Sequence, residues 1–324
     1  MPPTVSFVIV NYNGESCLPA CLDSIFAQTR PPDEVIVVDN ASQDGSLELL
    51  ERNLAGRGES IALPRNLGYA GACNRGIEKC SAELIAVLNN DIVLDRHWLE
   101  SLLAHDHADF HFWASRILFA ANPDLVDSAG DGMAVIGAAY KIGHGDPASR
   151  FDKPREVFGP CGAAALYRRE VLEATGGFDA DFFLVYEDAD LSMRARLRGF
   201  RCLYVPSAKV YHRVNTSIGT LSASYVFFGQ RNSEYVFWKN MPTTLLLLYL
   251  PERILFDLIS FLFFLAKGRG KAYLRAKQDF IRTLPHLMEK RRQVQQTRQL
   301  QSRQLNRLLD RNWVKYRKNA VSKL

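Results

Sequence analysis

A chain of 324 residues, 47% of them hydrophobic, is long enough for one large core or for a domain with an appendage. Its formal charge of +5 divides unevenly: from Lys267 onward 17 Lys/Arg stand against 3 Asp/Glu, so an acidic body carries a basic tail suited to anionic partners such as phospholipid head groups, nucleic acid or phosphorylated substrates. The six cysteines (Cys17, Cys21, Cys73, Cys80, Cys161, Cys202) have no Cys-x2-Cys spacing and no basic region precedes the first apolar run, so nothing points to zinc or a secretory signal, and reduced, cytosolic core cysteines are expected.

Residues 5–10 read as a buried strand and 16–28 as a helix, with Leu18, Leu22, Ile25 and Phe26 at helical spacing. A second strand at 34–38, a helix at 44–53 opening with acids, a short strand at 60–63, a helix at 70–80 and a strand at 84–88 follow. This alternation predicts an α/β fold with a mainly parallel sheet covered by helices on both faces. Residues 110–180 are less regular, with Gly-rich turns and short antiparallel strands. A helix over 187–198 stops at Gly199, and strand character returns at 200–205 and 209–211. Residues 243–266 are strongly apolar but interrupted by Pro251, Glu252, Arg253 and Asp257. Each central charge costs about 2.5–3.5 kcal/mol on insertion, so two shorter helices lying in a membrane interface are expected rather than a span. The alternative is a helical hairpin packed on the body. Residues 271–324 read as an amphipathic helix or a partly disordered tail.

Ligands of such sheets bind at the carboxyl ends of the strands. Asn11-Tyr12-Asn13, Asp39-Asn40, Arg65-Asn66 and Asn89-Asn90-Asp91 follow four successive strands, and their convergence on one edge is the signal, each cluster alone being ordinary turn chemistry. Asp39 can accept a hydrogen bond from a pyrimidine ring N–H or from ribose hydroxyls. The run from Asn66 to Gly76 brings a helix N-terminus lined by Gly68 and Gly71 close to a ligand, with Arg65, Asn66 and Asn74 for polar contacts. Asp91 suits Mg2+ or Mn2+, and His212 is a second candidate ligand. Glu187, Asp188 and Asp190 open one helix; helix-dipole placement needs only one or two acids, so one of them is available as a general base. Absent are G-x-G-x-x-G after a strand, G-x-x-x-x-G-K-[ST] and G-x-S-x-G, which argues against a dinucleotide-dependent dehydrogenase, a P-loop enzyme and an α/β-hydrolase.

In order and spacing these motifs resemble family 2 glycosyltransferases of the GT-A fold, closest to the rhamnosyltransferase-like branch, over residues 4–240. The resemblance implies an inverting transfer from a dTDP- or UDP-sugar, rhamnose favoured, to a lipid-linked or cell-surface glycan, at the cytoplasmic face of a membrane. It implies Asp188 as the base, with Glu187 positioning the acceptor. Asp39 matches the acid contacting the pyrimidine, and Asn11, Tyr12 and Asn13 match the edge of a nucleotide-sugar site that includes Arg65, Asn66, Gly68, Asn74, Asn90 and Gly162. Asp91 matches the last residue of the Asp-x-Asp metal motif, whose first acid is here Asn89, and His212 matches a third metal ligand, so a divalent cation is implied. A catalytic domain over 1–240 (nucleotide part about 1–105, acceptor part about 106–240) and membrane-associating helices with a basic tail over 241–324 follow. A sugar nucleotidyltransferase expects a Gly-rich, Arg/Lys-bearing loop where this chain has Asn11-Tyr12-Asn13-Gly14. An inactive scaffold has no need of Asp39, Asp91 and Asp188 together. No aromatic-interleaved or zinc motif supports nucleic-acid binding.

Overall fold

The computed structural model describes residues 2–213 and 222–313. Strands β1 (Val5–Asn11), β2 (Glu34–Asp39), β3 (Glu59–Ala62) and β4 (Leu84–Asn89) alternate with helices α1 (Leu18–Phe26), α2 (Ser46–Leu54) and α3 (Gly68–Ile77), close to the sequence reading. β5 (Ile92–Leu94), α4 (Trp98–Leu103), β6 (Phe112–Phe119), β7 (Asn122–Ser128), β8 (Asp131–Met133), β9 (Ala139–Lys141), β10 (Arg155–Val157), β11 (Ala164–Arg168), α5 (Arg169–Thr175), α6 (Glu187–Leu197) and β12 (Cys202–His212) follow. The chain continues through α7 (Ala223–Tyr235), a π-helical turn (Val236–Asn240), α8 (Thr243–Ala266), α9 (Gly270–Gln296) and α10 (Ser302–Leu308).

The main sheet runs β10-β12-β6-β11-β4-β1-β2-β3, with β5 on β12 and β7 on β6. β1 pairs in parallel with β2 and β4, and β11 lies antiparallel between β4 and β6. Strand order therefore switches at β1, and the crevice beyond its carboxyl end is where ligands of open α/β sheets bind. Period-two alternation serves both faces of β1: Phe7 and Ile9 pack with Leu18, Leu22 and Trp98, while Val8 and Val10 pack with Ala70 and Cys73 of α3. All six cysteines are free and buried.

Three departures from the sequence reading have physical causes. The irregular middle holds β6, an eight-residue central strand whose apolar run is broken by Ser115 and Arg116, and the guanidinium is spent on the Pro206 and Ala148 carbonyls. The two strand segments after Gly199 are one strand, β12, whose register slips between Val205 and Lys209, around Pro206. The expected pair of short apolar helices is one continuous helix, α8. Pro251 sits on its exposed side, while the charges turn inward: Arg253 reaches Glu234 at 2.8 Å and the Ile136 carbonyl at 2.8 Å, and Asp257 pairs with Lys277 at 2.9 Å. Among the described residues, no helix is long and apolar enough to cross a membrane.

A third core cluster joins α8, α9 and α10 to the body through Ile136, Phe182, Ala189, Phe237, Leu246 and Leu305. The same helices finish α6: Gln299 and Leu300 donate their backbone N–H groups to the Leu197 carbonyl at 2.9 and 3.0 Å.

Candidate active site

Asn11, the last residue of β1, is wholly buried and links its neighbours. Its Nδ2 donates to Asp39 Oδ2 (2.8 Å) and to Ser42 Oγ (3.2 Å), and its Oδ1 accepts from Asn90 Nδ2 (2.7 Å). Asp39 also accepts from the Ser42 backbone N–H at 2.9 Å. β1, β2 and β4 thus deliver Asn11, Asp39 and Asn90 to one buried cluster. Tyr12 and Asn13 are exposed beside it, with Asn13 at φ +50° accepting from the Gln43 N–H. Asn66 accepts from Asn40 Nδ2 at 3.0 Å and from the Gly68 N–H at 2.8 Å, while Arg65 is exposed. Gly68 has φ +74°, and a Cβ there would stand 2.4 Å from the Phe183 carbonyl oxygen, so only glycine fits. Asn74 is committed elsewhere: its amide donates to the Phe178 carbonyl (2.7 Å) and accepts from the Phe178 N–H (2.9 Å), tying α3 to the approach to α6.

Antiparallel pairing of His212 on β12 with Ile92 on β5 carries the imidazole to Asp91. His212 Nε2 lies 3.3 Å from Asp91 Oδ1, and Nδ1 lies 2.8 Å from Oδ2 of Asp127 on β7. Asn89 is half-buried at the end of β4, its backbone N–H bonded to the Ala163 carbonyl at 3.0 Å. Burial pushes the Asp127 carboxyl up, but hydrogen bonds from His144 and His212 and the charge of Lys141 outweigh it and hold it well below the usual range. Burial depresses His212, yet its bonds to Asp127 and Asp91 raise it to about 9. One carboxylate and one imidazole facing each other fit a small divalent cation, which would have to displace the proton that His212 otherwise keeps: an oxygen and a nitrogen donor suit Mn2+ at least as well as Mg2+. Asp127 then has the place of the carboxylate that orients a ligating histidine.

The three acids opening α6 have separate surroundings. Asp190 is fully buried and bonded to Arg194 Nε (2.8 Å), Lys239 Nζ (2.7 Å) and Asn240 Nδ2 (2.7 Å), so it is structural. Glu187 is buried, and its Oε2 has no hydrogen-bond partner among the described residues. Burial first and Asp188 second raise it to about 8. Asp188 is half-buried; its Oδ2 accepts from the Gly162 N–H and its Oδ1 from the Ala189 N–H, both at 2.7 Å. Burial raises its pKa against the pull of those two bonds. Gly162 thus touches Asp188 directly, and its own carbonyl accepts from Tyr69 Oη at 3.0 Å.

Sequence reasoning missed several residues here. Asp131, Cys161 and Asp188 can bring one ligand atom each within 4.8 Å of one another. Burial and the Asp188 charge raise Asp131 to about 8, and burial drives the Cys161 thiol far up. All three groups are pushed toward their neutral forms, so this cluster supplies less anionic charge to a cation than Asp91 does beside His212. The approach to α6 is strained: Phe183, Val185 and Tyr186 have φ of +59°, +67° and +74°. Asn232 on α7 clamps it, donating to the Phe182, Leu184 and Val185 carbonyls at 2.8, 2.9 and 2.6 Å. Acids at 127 and 131 in a Gly-rich stretch were the one available signal; Asn232 gave none.

Residues 6–176 match the family model described as "Glycosyl transferase family 2". The chain is 26% identical over 226 residues to O-antigen biosynthesis protein RfbC of Myxococcus xanthus, covering 66% of this chain and 18% of that protein. It is 24% identical over 259 residues to poly-beta-1,6-N-acetyl-D-glucosamine synthase of Staphylococcus epidermidis, covering 76% of this chain and 59% of that one. The chain thus spans only part of either relative. The fold is similar to that of S. aureus TarS 1-349 in complex with UDP-GlcNAc (TM-score 0.58, 18% identity, 86% of this chain and 80% of that one). It is also similar to the mannosyltransferase PcManGT of Pyrobaculum calidifontis in complex with GDP-Man and Mn2+ (TM-score 0.56, 17% identity, 88% and 76%).

Proposed function

The chain belongs to glycosyl transferase family 2, and from that premise we propose that it is a glycosyltransferase that moves a sugar, with inversion, from a dTDP- or UDP-sugar to a hydroxyl of a lipid-linked or cell-surface glycan. Rhamnose is the favoured sugar, on the motif resemblance. The observation that carries the reading is Asp188: of the three acids at the start of α6 it alone is not buried, and two backbone N–H groups fix both its oxygens. So held, it takes the proton of an acceptor hydroxyl as that oxygen attacks the anomeric carbon. The bond to the nucleoside diphosphate breaks on the opposite face, and no covalent intermediate forms. Asp39 receives the pyrimidine edge, and Glu187, neutral at pH 7, positions the acceptor by donating a hydrogen bond.

Asp91 and His212 are the residues that would hold a divalent cation, which supplies compensation for the charge of the leaving diphosphate. The nucleotide-sugars bound by TarS and PcManGT support a nucleotide-sugar donor, and the Mn2+ of PcManGT supports a metal. In this reading residues 1–105 hold the nucleotide, 106–240 the acceptor, and the enzyme works peripherally at the cytoplasmic face of a membrane.

The test is transfer or donor hydrolysis across UDP-, dTDP- and GDP-sugars, with Mg2+, Mn2+ or EDTA, and the anomeric configuration of the product. Turnover of one pyrimidine donor, lost in EDTA, is expected. Asp188→Asn should lower kcat about 10³-fold with little change in donor KM. Full activity of that variant removes Asp188 as the base, activity in EDTA removes the metal role of Asp91 and His212, and silence with every donor returns the scaffold reading.

A further inference from the structure

The outer side of α8 is an uninterrupted apolar stripe. Leu247, Leu248, Ile254, Leu255, Leu258, Leu262 and Leu265 are each at least half exposed, and the seven-residue steps from Leu247 to Ile254 and Leu248 to Leu255, then steps of three and four from Leu255 to Leu265, keep them on one side of the helix. The opposite side, with Leu245, Leu246, Tyr249, Arg253 and Ser260, is the one buried against the body. An aqueous surface rarely keeps so many large aliphatic groups contiguous without a partner.

The charge beside the stripe identifies the partner. From Leu258 to Gln278 the chain contains no acid, while Lys267, Arg269, Lys271 and Arg275 are exposed at the turn into α9 and along its first turns. Exposed Leu274, Arg275, Gln278, Ile281 and Arg282 continue along one side of α9 at helical spacing, mixing aliphatic and cationic groups. Arg275, Ile281 and Arg282 also line an open cleft of about 520 Å³, together with Phe227 of α7, Gln278 and Asp279, whose carboxylate is paired with Arg231 at 3.1 Å. The last eleven residues of the sequence, which lie outside the described residues, contain four basic residues and no acid. A second protein surface of ordinary composition would have to answer an apolar stripe and a one-sided cationic strip together. An anionic bilayer answers both at once, with acyl chains for the leucines and phosphates for the cations.

We propose that the exposed sides of α8 and α9 form a docking face for an anionic lipid bilayer, α8 lying in the interface plane and Arg275 and Arg282 meeting lipid phosphates. α8 lies on such a surface rather than through it, because its charges are committed inward to Glu234 and Lys277. This deepens the membrane part of the proposed function, and it does not depend on the transfer chemistry.

The experiment is flotation of the full-length protein with vesicles of phosphatidylglycerol and phosphatidylcholine, compared with pure phosphatidylcholine, at low and high salt. Two variants are compared with the unaltered chain: Leu255→Ser/Leu258→Ser/Leu262→Ser, and Arg275→Gln/Arg282→Gln. Binding to anionic vesicles is expected, weakened by salt. The arginine pair should lower the partition coefficient roughly 30-fold, from about 1 kcal/mol per cation near an anionic surface. The leucine triple should lower it at least about tenfold on both vesicle types. Circular dichroism and thermal melts check that both variants fold, and the exposed arginine pair keeps the test open if the leucine triple does not. Sugar transfer to a soluble acceptor in detergent is read separately, so failure of the face and failure of the transferase reading are distinguishable. Absence of binding to any vesicle overturns the proposal. So does a wild-type dimer in light scattering that the leucine triple converts to monomer, because the stripe is then a contact between copies.

Discussion

Glu187 and Asp188 are adjacent in the chain yet hold their protons differently, because Glu187 is buried with one oxygen unpartnered among the described residues while half-buried Asp188 accepts two backbone N–H bonds. Glu187 rises from 4.5 to about 8, chiefly through burial and then through the charge of Asp188. An acid whose folded-state pKa is raised contributes stability that is fully present below its unfolded pKa and is lost as pH climbs through the folded one. The loss attributable to Glu187 therefore spans the interval between about pH 4.5 and 8. Glu187→Gln cannot ionise and escapes it. Urea unfolding at pH 5 and pH 8 should find the variant gaining on the wild type by on the order of 2 kcal/mol at the higher pH. An identical difference at both pH values would mean that Glu187 is charged throughout and cannot donate to an acceptor. Asp131, raised to about 8 by burial and the Asp188 charge, slopes the same way in both proteins and cancels from the comparison.

α6 is delivered to the site by a segment that cannot hold its shape alone. Three non-glycine residues with positive φ precede it, Val185 among them, and each such residue costs about 1–3 kcal/mol unless its surroundings fix it. Asn232 supplies that fixing through three carbonyls, those of Phe182, Leu184 and Val185. Asn232→Ala should cost about 2–4 kcal/mol in urea unfolding and lower kcat far more than it changes donor KM, since Asp188 moves and the nucleotide end does not. A variant equally destabilised but with kcat intact would show that the segment keeps its course without the clamp. This clamp also marks where the sequence stops being readable. β1 to β4 and their helices were legible because their apolar periodicity and their Asn/Asp ends are local patterns. The places of Asp91 after β4, Asp188 at the start of α6 and His212 at the end of β12 were legible for the same reason. Asn232 lies 47 to 50 residues from the carbonyls it holds, and Asp127 lies 85 residues from the imidazole it orients. No local pattern encodes such partners. β6 was hidden by Arg116, whose guanidinium donates to carbonyls brought from residues 148 and 206.

Across the whole molecule, Arg253 joins the helical extension to the body. It is 1% exposed, with Glu234 at 2.8 Å and Asp257 at 3.3 Å, and it donates to the Ile136 and Ser233 carbonyls. Arg253→Ala leaves Glu234 buried with Lys277 as its remaining cationic partner, and should cost about 3–5 kcal/mol in urea unfolding. Arg253→Met with Glu234→Gln, which removes the charge along with its partner, should recover much of that loss. No recovery would mean that the carbonyl bonds of Arg253, rather than the ion pair, hold α8 in place.

The cap on α6 has a consequence for how the enzyme is made. Leu197 receives its hydrogen bonds from Gln299 and Leu300, residues that leave the ribosome about a hundred codons later. At roughly 5–20 residues per second the helix that carries Asp188 waits roughly 5–20 seconds for its end to be closed. A nascent chain arrested at residue 240 already contains every acid of the site, but α6 is still open at its carboxyl end and lacks the α9 side of its packing. The carboxyl end of α6 therefore closes only as the final stretch of the chain is made, after α8 has already emerged.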